Sequence, residues 1–197
     1  MRKALLLAAL LLAAPVVRAA QPLAVAELTG GALTVDGVAL KEGQKLPSGR
    51  TARLARGGRL VLDAGPWGKV LIKGPAVFTP SSAAGDGLSL KAGGALAVFN
   101  KVKGRSFTVR TPAVALAVRG TTFYAEARGK NSSYVCICDG TIALESSGGS
   151  YHSTLTSKKT HRSVLIRFDN GAGLETEAPM QHHSDEEIAA LGGDVTK

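Results

Sequence analysis

The sequence lacks most of the patterns that identify enzymes. It has no glycine-rich phosphate-binding loop, no dinucleotide-binding fingerprint and no Cys-x-x-Cys pair. Its serine-rich stretches lack the nucleophile-elbow pattern, and no pair of carboxylates is spaced for acid–base work. We therefore predict that the protein is not an enzyme.

Aromatic residues and long apolar runs are also scarce. Aromatic side chains make up 5% of the chain, and the formal charge of +9 is spread along the sequence with few aromatics beside it. This distribution is not typical of a nucleic-acid-binding surface, so we expect no nucleic-acid partner. Beyond the start of the chain, no apolar run approaches the roughly 18 to 20 residues that a spanning helix needs, which predicts no membrane span in the mature chain.

The first 19 residues have the composition of a secretory signal peptide. Arg2 and Lys3 give a positive start, residues 4–14 form a short apolar run, and Val17-Arg18-Ala19 is a small-x-small cleavage site. No cysteine closely follows the apolar run, so a lipoprotein anchor is not predicted. We expect cleavage near Ala19 and a periplasmic or secreted protein.

Glycine is abundant, at 24 of 197 residues, and it separates short runs of alternating apolar residues. Asp36-Gly37 stands between residues 33–35 and residues 38–40, which is the strongest hairpin signal in the chain. Similar breaks recur about every 8 to 12 residues, a spacing typical of sandwiches and barrels rather than of βαβ units. We predict an all-β fold, an antiparallel β-sandwich or jelly-roll-like domain, over residues 20–169.

Residues 107–127 have the most regular strand pattern. Pro112 and Gly120 interrupt the alternation and mark strand ends or corners. Arg119, beside this corner, can bond carbonyl groups or a carboxylate at the sheet edge. We interpret the motif residues as structural rather than as a ligand site; they are Thr111, Pro112, Arg119, Gly120 and Thr121.

The same stretch resembles a known family. Thr111-Pro112-Ala113-Val114, followed by Val118-Arg119-Gly120-Thr121-Thr122-Phe123, is similar to the core signature of the FecR domain. Residues 90–96 resemble that family's lead-in and residues 138–144 its closing turn and strand, so the resemblance covers residues 35–146. It implies an all-β extracytoplasmic module, best known as the sensing half of iron-siderophore regulators that relay an outer-membrane receptor's state to a sigma factor.

One departure from that family changes the expected role. Its best-known members carry a cytoplasmic sigma-factor-binding segment and a membrane span, whereas this sequence begins with a predicted cleavable signal. We therefore expect a non-enzymatic interaction or sensing module in cell-envelope signalling, with an envelope protein as partner, rather than direct control of a sigma factor. An envelope scaffolding domain without a small ligand is an alternative.

Cys136 and Cys138 are the only cysteines, and the period-2 geometry of a strand puts both thiols on one face. An oxidising compartment would allow a disulfide, although a bridge between residues i and i+2 of a strand would be strained. Buried free thiols are a second interpretation. A copper, zinc or haem site is a third, because imidazole and thioether groups follow the pair. The candidate ligands of a metal or redox site are Cys136, Cys138, His161, Met180, His182 and His183.

Residues 170–197 are predicted to form a polar tail with a short helix. Ser184 and Glu187 have capping-box spacing, and Gly192 ends a helix over residues 185–191. Such a helix could close over the cysteine pair and bring Met180 or His182 to it. The alternative function is therefore a periplasmic metal- or haem-binding protein that uses both regions.

Overall fold

The computed structural model describes residues 22–81 and 86–195. The predicted signal peptide, residues 1–19, lies outside the described residues. Within the described ranges the chain forms fourteen β-strands, a 3-10 turn at Gly65–Trp67 and one α-helix. The strands are β1 (Ala24–Thr29), β2 (Leu33–Val35), β3 (Val38–Leu40), β4 (Ala52–Leu54), β5 (Arg59–Asp63), β6 (Gly68–Pro80), β7 (Asp86–Phe99), β8 (Phe107–Arg110), β9 (Val114–Val118), β10 (Thr122–Ala127), β11 (Ser132–Ser146), β12 (His152–Ser157), β13 (Arg162–Asp169) and β14 (Ala172–Glu177), and the helix is α1 (Asp185–Ala190).

These strands belong to one sheet that closes on itself. Its main path runs β14-β13-β11-β9-β8-β7-β6-β4-β2-β3, and β10 pairs with both β7 and β11. Strands β7, β8, β9, β11 and β10 therefore form a closed ring. Among the described strands, only β7 and β8 pair in parallel; every other pair is antiparallel. The predicted all-β fold with a short C-terminal helix is confirmed.

The hairpin predicted at Asp36-Gly37 is also confirmed, with Val35 paired to Val38 across it. Asp36 has a φ of 50° and Gly37 a φ of 82°, so both central residues lie in the left-handed region that a two-residue type I′ turn requires. Aspartate and glycine are among the residues that reach this region at low cost, which explains why the chain reverses here.

The predicted polar tail contains more regular structure than we expected. Residues 172–177 form β14, which pairs with β13 through Leu165 opposite Thr176. Helix α1 follows, with the predicted capping box between Ser184 and Glu187 present. No helix among residues 22–81 and 86–195 is long and apolar enough to cross a membrane.

The inner face of the sheet encloses the main hydrophobic core. Its fully buried aromatic side chains include Trp67, Phe78, Phe107 and Phe123. The Trp67 and Phe107 rings meet edge to face with their centroids 5.8 Å apart. Burial of such large side chains is the main favourable term that holds the closed sheet together.

A second hydrophobic cluster lies on the outer face of the sheet, and we call it the outer cluster. The sheet contributes Val61, Leu71, Leu96, Tyr124, Tyr134, Cys136 and Cys138, and the C-terminal region contributes Ile188, Leu191 and Val195. Because adjacent residues of a strand face opposite sides, the same strands serve both clusters. The C-terminal region therefore covers an apolar surface that would otherwise face water.

Candidate metal centre

Strand β11 directs both cysteines to the outer cluster. Val135 and Ile137 belong to the main core, whereas Cys136 and Cys138 alternate with them on the opposite face, as the period-2 pattern predicts. Both thiols are completely buried and free. The sheet thus holds two soft ligand atoms side by side in a dry environment.

His161 reaches the thiols from the turn before β13. In the antiparallel pairing of β11 with β13, Cys136 lies opposite Ser163 and Ile137 opposite Arg162. Continuing this register places His161 beside Cys138, and its Nδ1 lies 3.5 Å from Sγ of Cys136. The sheet register therefore brings a residue 25 positions along the chain to the cysteine pair.

His183 reaches the same thiols from the C-terminal region. Its Nε2 lies 3.5 Å from Sγ of Cys138. Its ring stacks on that of Tyr124, with centroids 5.0 Å apart and planes inclined by 11°. Only 6% of the His183 residue is exposed, which is unusual for histidine and shows that the imidazole is built into the outer cluster.

The ligand atoms of Cys136, Cys138, His161 and His183 all lie within 4.8 Å of one another, and we call these residues the four-ligand group. Around a tetrahedral zinc ion with bonds of about 2.3 Å to sulfur and about 2.0 Å to nitrogen, neighbouring sulfur and nitrogen ligands stand about 3.6 Å apart. The two sulfur–nitrogen distances of 3.5 Å agree with that value. The group therefore fits a single metal ion.

Each histidine of the group has its second ring nitrogen hydrogen-bonded. Nε2 of His161 lies 2.8 Å from Oδ1 of Asp185, and Nδ1 of His183 lies 2.8 Å from the carbonyl oxygen of Gln181. Because these oxygens can only accept, each outer nitrogen must carry the proton. The inner nitrogens are then the ones that can offer a lone pair to a metal, an arrangement usual for metal-bound histidine.

The pKa values of the group favour a single thiolate. A hydrogen bond from Cys138 holds the pKa of Cys136 well below its usual range despite burial, and contacts with His183 and Ser163 act in the same direction. The same contact, together with burial, raises the pKa of Cys138. Burial lowers the pKa of His161, but hydrogen bonds to Cys136 and Asp185 outweigh it, and the net shift is upward. A divalent cation could neutralise this buried charge and displace the remaining protons.

The structure does not bring Met180 and His182 into the group. Met180 is 42% exposed. Nε2 of His182 lies 3.9 Å from a carboxylate oxygen of Glu126 instead. The ligand set predicted from the sequence included His183, but the C-terminal helix was expected to bring Met180 or His182 to the thiols instead. The supporting roles of Asp185 and Gln181 were not predicted. The acid in the first turn of the predicted helix was the available signal for Asp185.

The motif residues make structural contacts away from the group. The Thr111 hydroxyl donates to the Val114 carbonyl oxygen at 3.0 Å, and the Thr121 hydroxyl donates to the Thr141 carbonyl oxygen at 3.1 Å. Gly120 has a φ of 67°, and a Cβ added there would lie 2.8 Å from the backbone nitrogen of Lys101. Pro112 and Arg119 are exposed. These contacts support the structural interpretation of the motif.

Comparison with known proteins gives a family match for part of the chain. Residues 70–143 match the family model described as FecR protein. None of the curated proteins matches the chain. Two crystal structures of a putative anti-sigma factor from Parabacteroides distasonis ATCC 8503, at 1.65 Å and 2.50 Å resolution, have a similar fold, with a TM-score of 0.52 and 16% sequence identity in each case.

The structural alignment covers 64% of this chain and 59% of the Parabacteroides chain, so this chain spans less than two thirds of that protein. At 16% identity the similarity shows the fold alone. Cys136 and Cys138 lie inside the family match, and His161 and His183 lie beyond its end. Residues 70–143 of this chain are therefore similar in sequence to the FecR family, and the fold of the described residues is similar to that of the Parabacteroides protein.

Proposed function

We propose that this protein is a non-enzymatic sensing module of the cell envelope, and that the signal it reads is a thiophilic metal ion, with zinc as the first candidate. The ion would bind the four-ligand group. The FecR segment and the fold support a signalling or sensing module. The thiol and imidazole ligands of the four-ligand group are the reason for proposing a metal ion as the signal.

The proposal rests on the different contacts that the two ring nitrogens make in His161 and in His183. In each ring one nitrogen faces a buried thiol and the other is hydrogen-bonded to an acceptor that fixes the tautomer. A histidine that only fills space in a core does not require both contacts, and here two histidines make both contacts around the same pair of thiols. The arrangement is the one expected of metal ligands with their supporting contacts.

The composition of the group favours zinc. Two thiolates and two imidazoles in tetrahedral arrangement form a common closed zinc site, and they can also accept copper(I). A closed site with four protein ligands has no open position for a substrate or an activated water. A site of this kind holds an ion or detects it, which agrees with the expected absence of enzymatic activity.

The cellular setting of the proposal follows from the family and from the sequence. The FecR resemblance implies an extracytoplasmic module, and the predicted signal peptide would deliver the mature chain to the periplasm or to the exterior. Zinc-bound thiolates are less open to oxidation than free thiolates, so a loaded site suits an oxidising compartment. The expected receiver of the signal is a protein of the envelope.

The test is metal binding by the mature protein, purified with reduced thiols and freed of metal by a chelator. We expect about one zinc ion per chain by elemental analysis, and cobalt(II) should give the visible absorption of a tetrahedral site with sulfur ligands. The variants Cys136→Ser and His183→Ala should each lose the stoichiometric ion.

The matched control is His182→Ala, which removes the adjacent histidine without touching the four-ligand group. It should bind zinc as the unmodified protein does. Equal losses in His182→Ala and His183→Ala, or an unmodified protein that retains no metal, would overturn the proposal. If the protein retains copper(I) in place of zinc, the proposed metal site stands and copper(I) replaces zinc as the proposed signal.

A further inference from the structure

Residues 182–195 lie across the outer face of the sheet, and we call them the C-terminal strap. We infer that the C-terminal strap is the moving part of the sensor: it docks on the sheet when the four-ligand group holds a metal ion, and it detaches when the ion is lost. The inference rests on the proposed function, because it needs an ion at that group.

The C-terminal strap packs on the sheet through a small apolar surface. Ile188 is fully buried, and Leu191 and Val195 are each 6% exposed. They belong to the outer cluster, whose sheet side includes Leu71 and Leu96. Burial of one aliphatic side chain of this size stabilises a fold by roughly 1.5–3 kcal/mol. The three side chains together therefore contribute only a few times that free energy.

Residues 179–181, just before the C-terminal strap, are anchored to the sheet by the fully buried Tyr134, whose hydroxyl donates to the Pro179 carbonyl oxygen at 3.0 Å and accepts from the Gln181 amide at 2.9 Å.

The C-terminal strap itself makes more exposed polar contacts with two lysines of the sheet side. Nζ of Lys73 is 2.6 Å from a carboxylate oxygen of Glu187 and 3.1 Å from the carbonyl oxygen of His182. Lys159 pairs with Asp194, and both side chains are about half exposed. Exposed ion pairs contribute little because water and salt screen them. These pairs orient the C-terminal strap without holding it firmly.

Helix α1 cannot keep the C-terminal strap ordered by itself. It has six residues, and isolated helices much shorter than about 12 residues are marginal in water even with good caps. Its capping box and the acids in its first turn help its start, but they do not replace packing. Order in the C-terminal strap therefore depends on its docking.

The four-ligand group is divided between the sheet and the C-terminal strap. Cys136, Cys138 and His161 are held by β11 and by the turn before β13, and His183 belongs to the C-terminal strap. Asp185, also in the C-terminal strap, contacts His161. An ion bound by all four ligands joins the two parts, so part of its binding free energy holds the C-terminal strap in place.

Detachment would change the surface of the protein in a defined way. Without its cover, the outer face would present Val61, Leu71, Leu96 and Tyr124 to water. A surface of this kind is unfavourable in water and is typical of sites that take part in interactions. In the metal-bound state the C-terminal strap covers this apolar surface, and loss of the ion exposes the surface to water.

The first experiment follows amide hydrogen exchange of the mature full-length chain with zinc and with a chelator. The amide of Leu191 bonds to the carbonyl of Glu187, and that of Gly193 bonds to the carbonyl of Ile188, so both report on the C-terminal strap. We expect zinc to slow exchange of this segment by at least about tenfold, the range of typical coupling between sites. Amides of the β6–β7 pair should not change.

The second experiment measures the reverse effect, because coupling between two equilibria is reciprocal. Leu191→Ala removes an apolar contact of the C-terminal strap and leaves every ligand in place. It should weaken zinc binding by about fivefold or more. Glu187→Gln is the milder second variant: it removes the charge that meets Lys73, keeps a residue suited to the capping box, and should weaken zinc binding to a smaller degree.

The outcomes separate the two proposals. If zinc binds with the expected stoichiometry but exchange of residues 184–193 is equally slow with and without it, the C-terminal strap is a permanent part of the fold; the inference fails and the metal site stands. Unchanged zinc affinity in both variants would overturn the inference in the same way. If the protein binds no metal, the proposed function fails and the inference fails with it.

Discussion

Oδ1 of Asp185 lies 2.8 Å from Nε2 of His161, and this contact links the C-terminal strap to the sheet at the four-ligand group. His161 is thereby oriented by a residue that is not a metal ligand and that lies 24 positions further along the chain. The carboxylate fixes which nitrogen of His161 is protonated and makes the other nitrogen a stronger donor to a metal. The contact leads to the first prediction.

Asp185→Asn should weaken zinc binding by about 10- to 100-fold without removing a ligand, because the amide is a poorer acceptor and no longer balances charge on His161. Competition with a chromophoric chelator would measure the affinity. The control is Glu186→Gln, which makes the same change of charge at the next position of α1, outside the four-ligand group. Equal effects of the two substitutions would show that only the net charge of the helix matters.

Zinc should raise the free energy of unfolding of the reduced protein. An ion that binds the native state alone stabilises it by about 2.7 kcal/mol when its free concentration is 100 times its dissociation constant. Urea unfolding in zinc buffers and in chelator would measure the change. The gain should persist in His182→Ala and disappear in a Cys136→Ser, Cys138→Ser variant; a gain that survives in the double variant would place the bound zinc elsewhere.

Gly120→Ala should lower the free energy of unfolding by about 2 to 3 kcal/mol, because the new Cβ meets the Lys101 backbone while the residue keeps a positive φ. Gly104→Ala is the matched control: Gly104 has a φ of 72°, but a Cβ there has no neighbour within 4 Å, so the cost should be about 1 kcal/mol. Chemical denaturation would measure both. Zinc affinity of the folded variants should be unchanged, since the motif contacts lie away from the four-ligand group.

Tyr151 should make stability fall at high pH. Burial, together with a hydrogen bond from its hydroxyl to Glu175, raises its pKa to about 12 from a usual value of 10.0. The fold therefore favours the neutral phenol, and this stabilisation is complete below about pH 10 and is lost as pH rises toward 12. Tyr151→Phe should cost about 1 kcal/mol at pH 8, with the gap from the unmodified protein narrowing between pH 10 and pH 12.

The measurement for Tyr151 is the free energy of unfolding in urea at pH 8, 10 and 12. Taking the difference between the two proteins at each pH removes the contribution of the other tyrosines, which they share. A difference that stays constant from pH 8 to pH 12 would mean that burial and the Glu175 hydrogen bond do not raise the pKa of Tyr151.

Features set by neighbouring residues could be predicted from the sequence. The Asp36-Gly37 turn depends on two adjacent residues that accept positive φ, and the start of α1 depends on Ser184 and Glu187. The shared face of Cys136 and Cys138 follows from the two-residue period of a strand. In each case the physical cause acts within a few residues, so the pattern in the chain is sufficient.

The choice of histidine could not be predicted in this way. His182 and His183 are adjacent and chemically identical, yet only His183 reaches the thiols. His182 has a φ of 66°, and this left-handed residue sets the direction in which the chain enters the capped turn at Ser184. Which imidazole faces the sheet depends on how the C-terminal strap docks, and docking is decided by contacts with Tyr124, Leu71 and Leu96.

Short stretches of the chain are sufficient to predict the strand-rich class of the fold, the capped helix and a pair of thiols on one face, because periodicity and backbone preference act locally. The FecR resemblance comes from the motif residues themselves. The tertiary structure alone decided that the sheet closes through β10, that His161 lies in register beside the thiols, and that His183 completes the group. Those outcomes depend on strand order and on packing between segments far apart in the chain, where small differences in buried area select one arrangement among many that the local pattern allows.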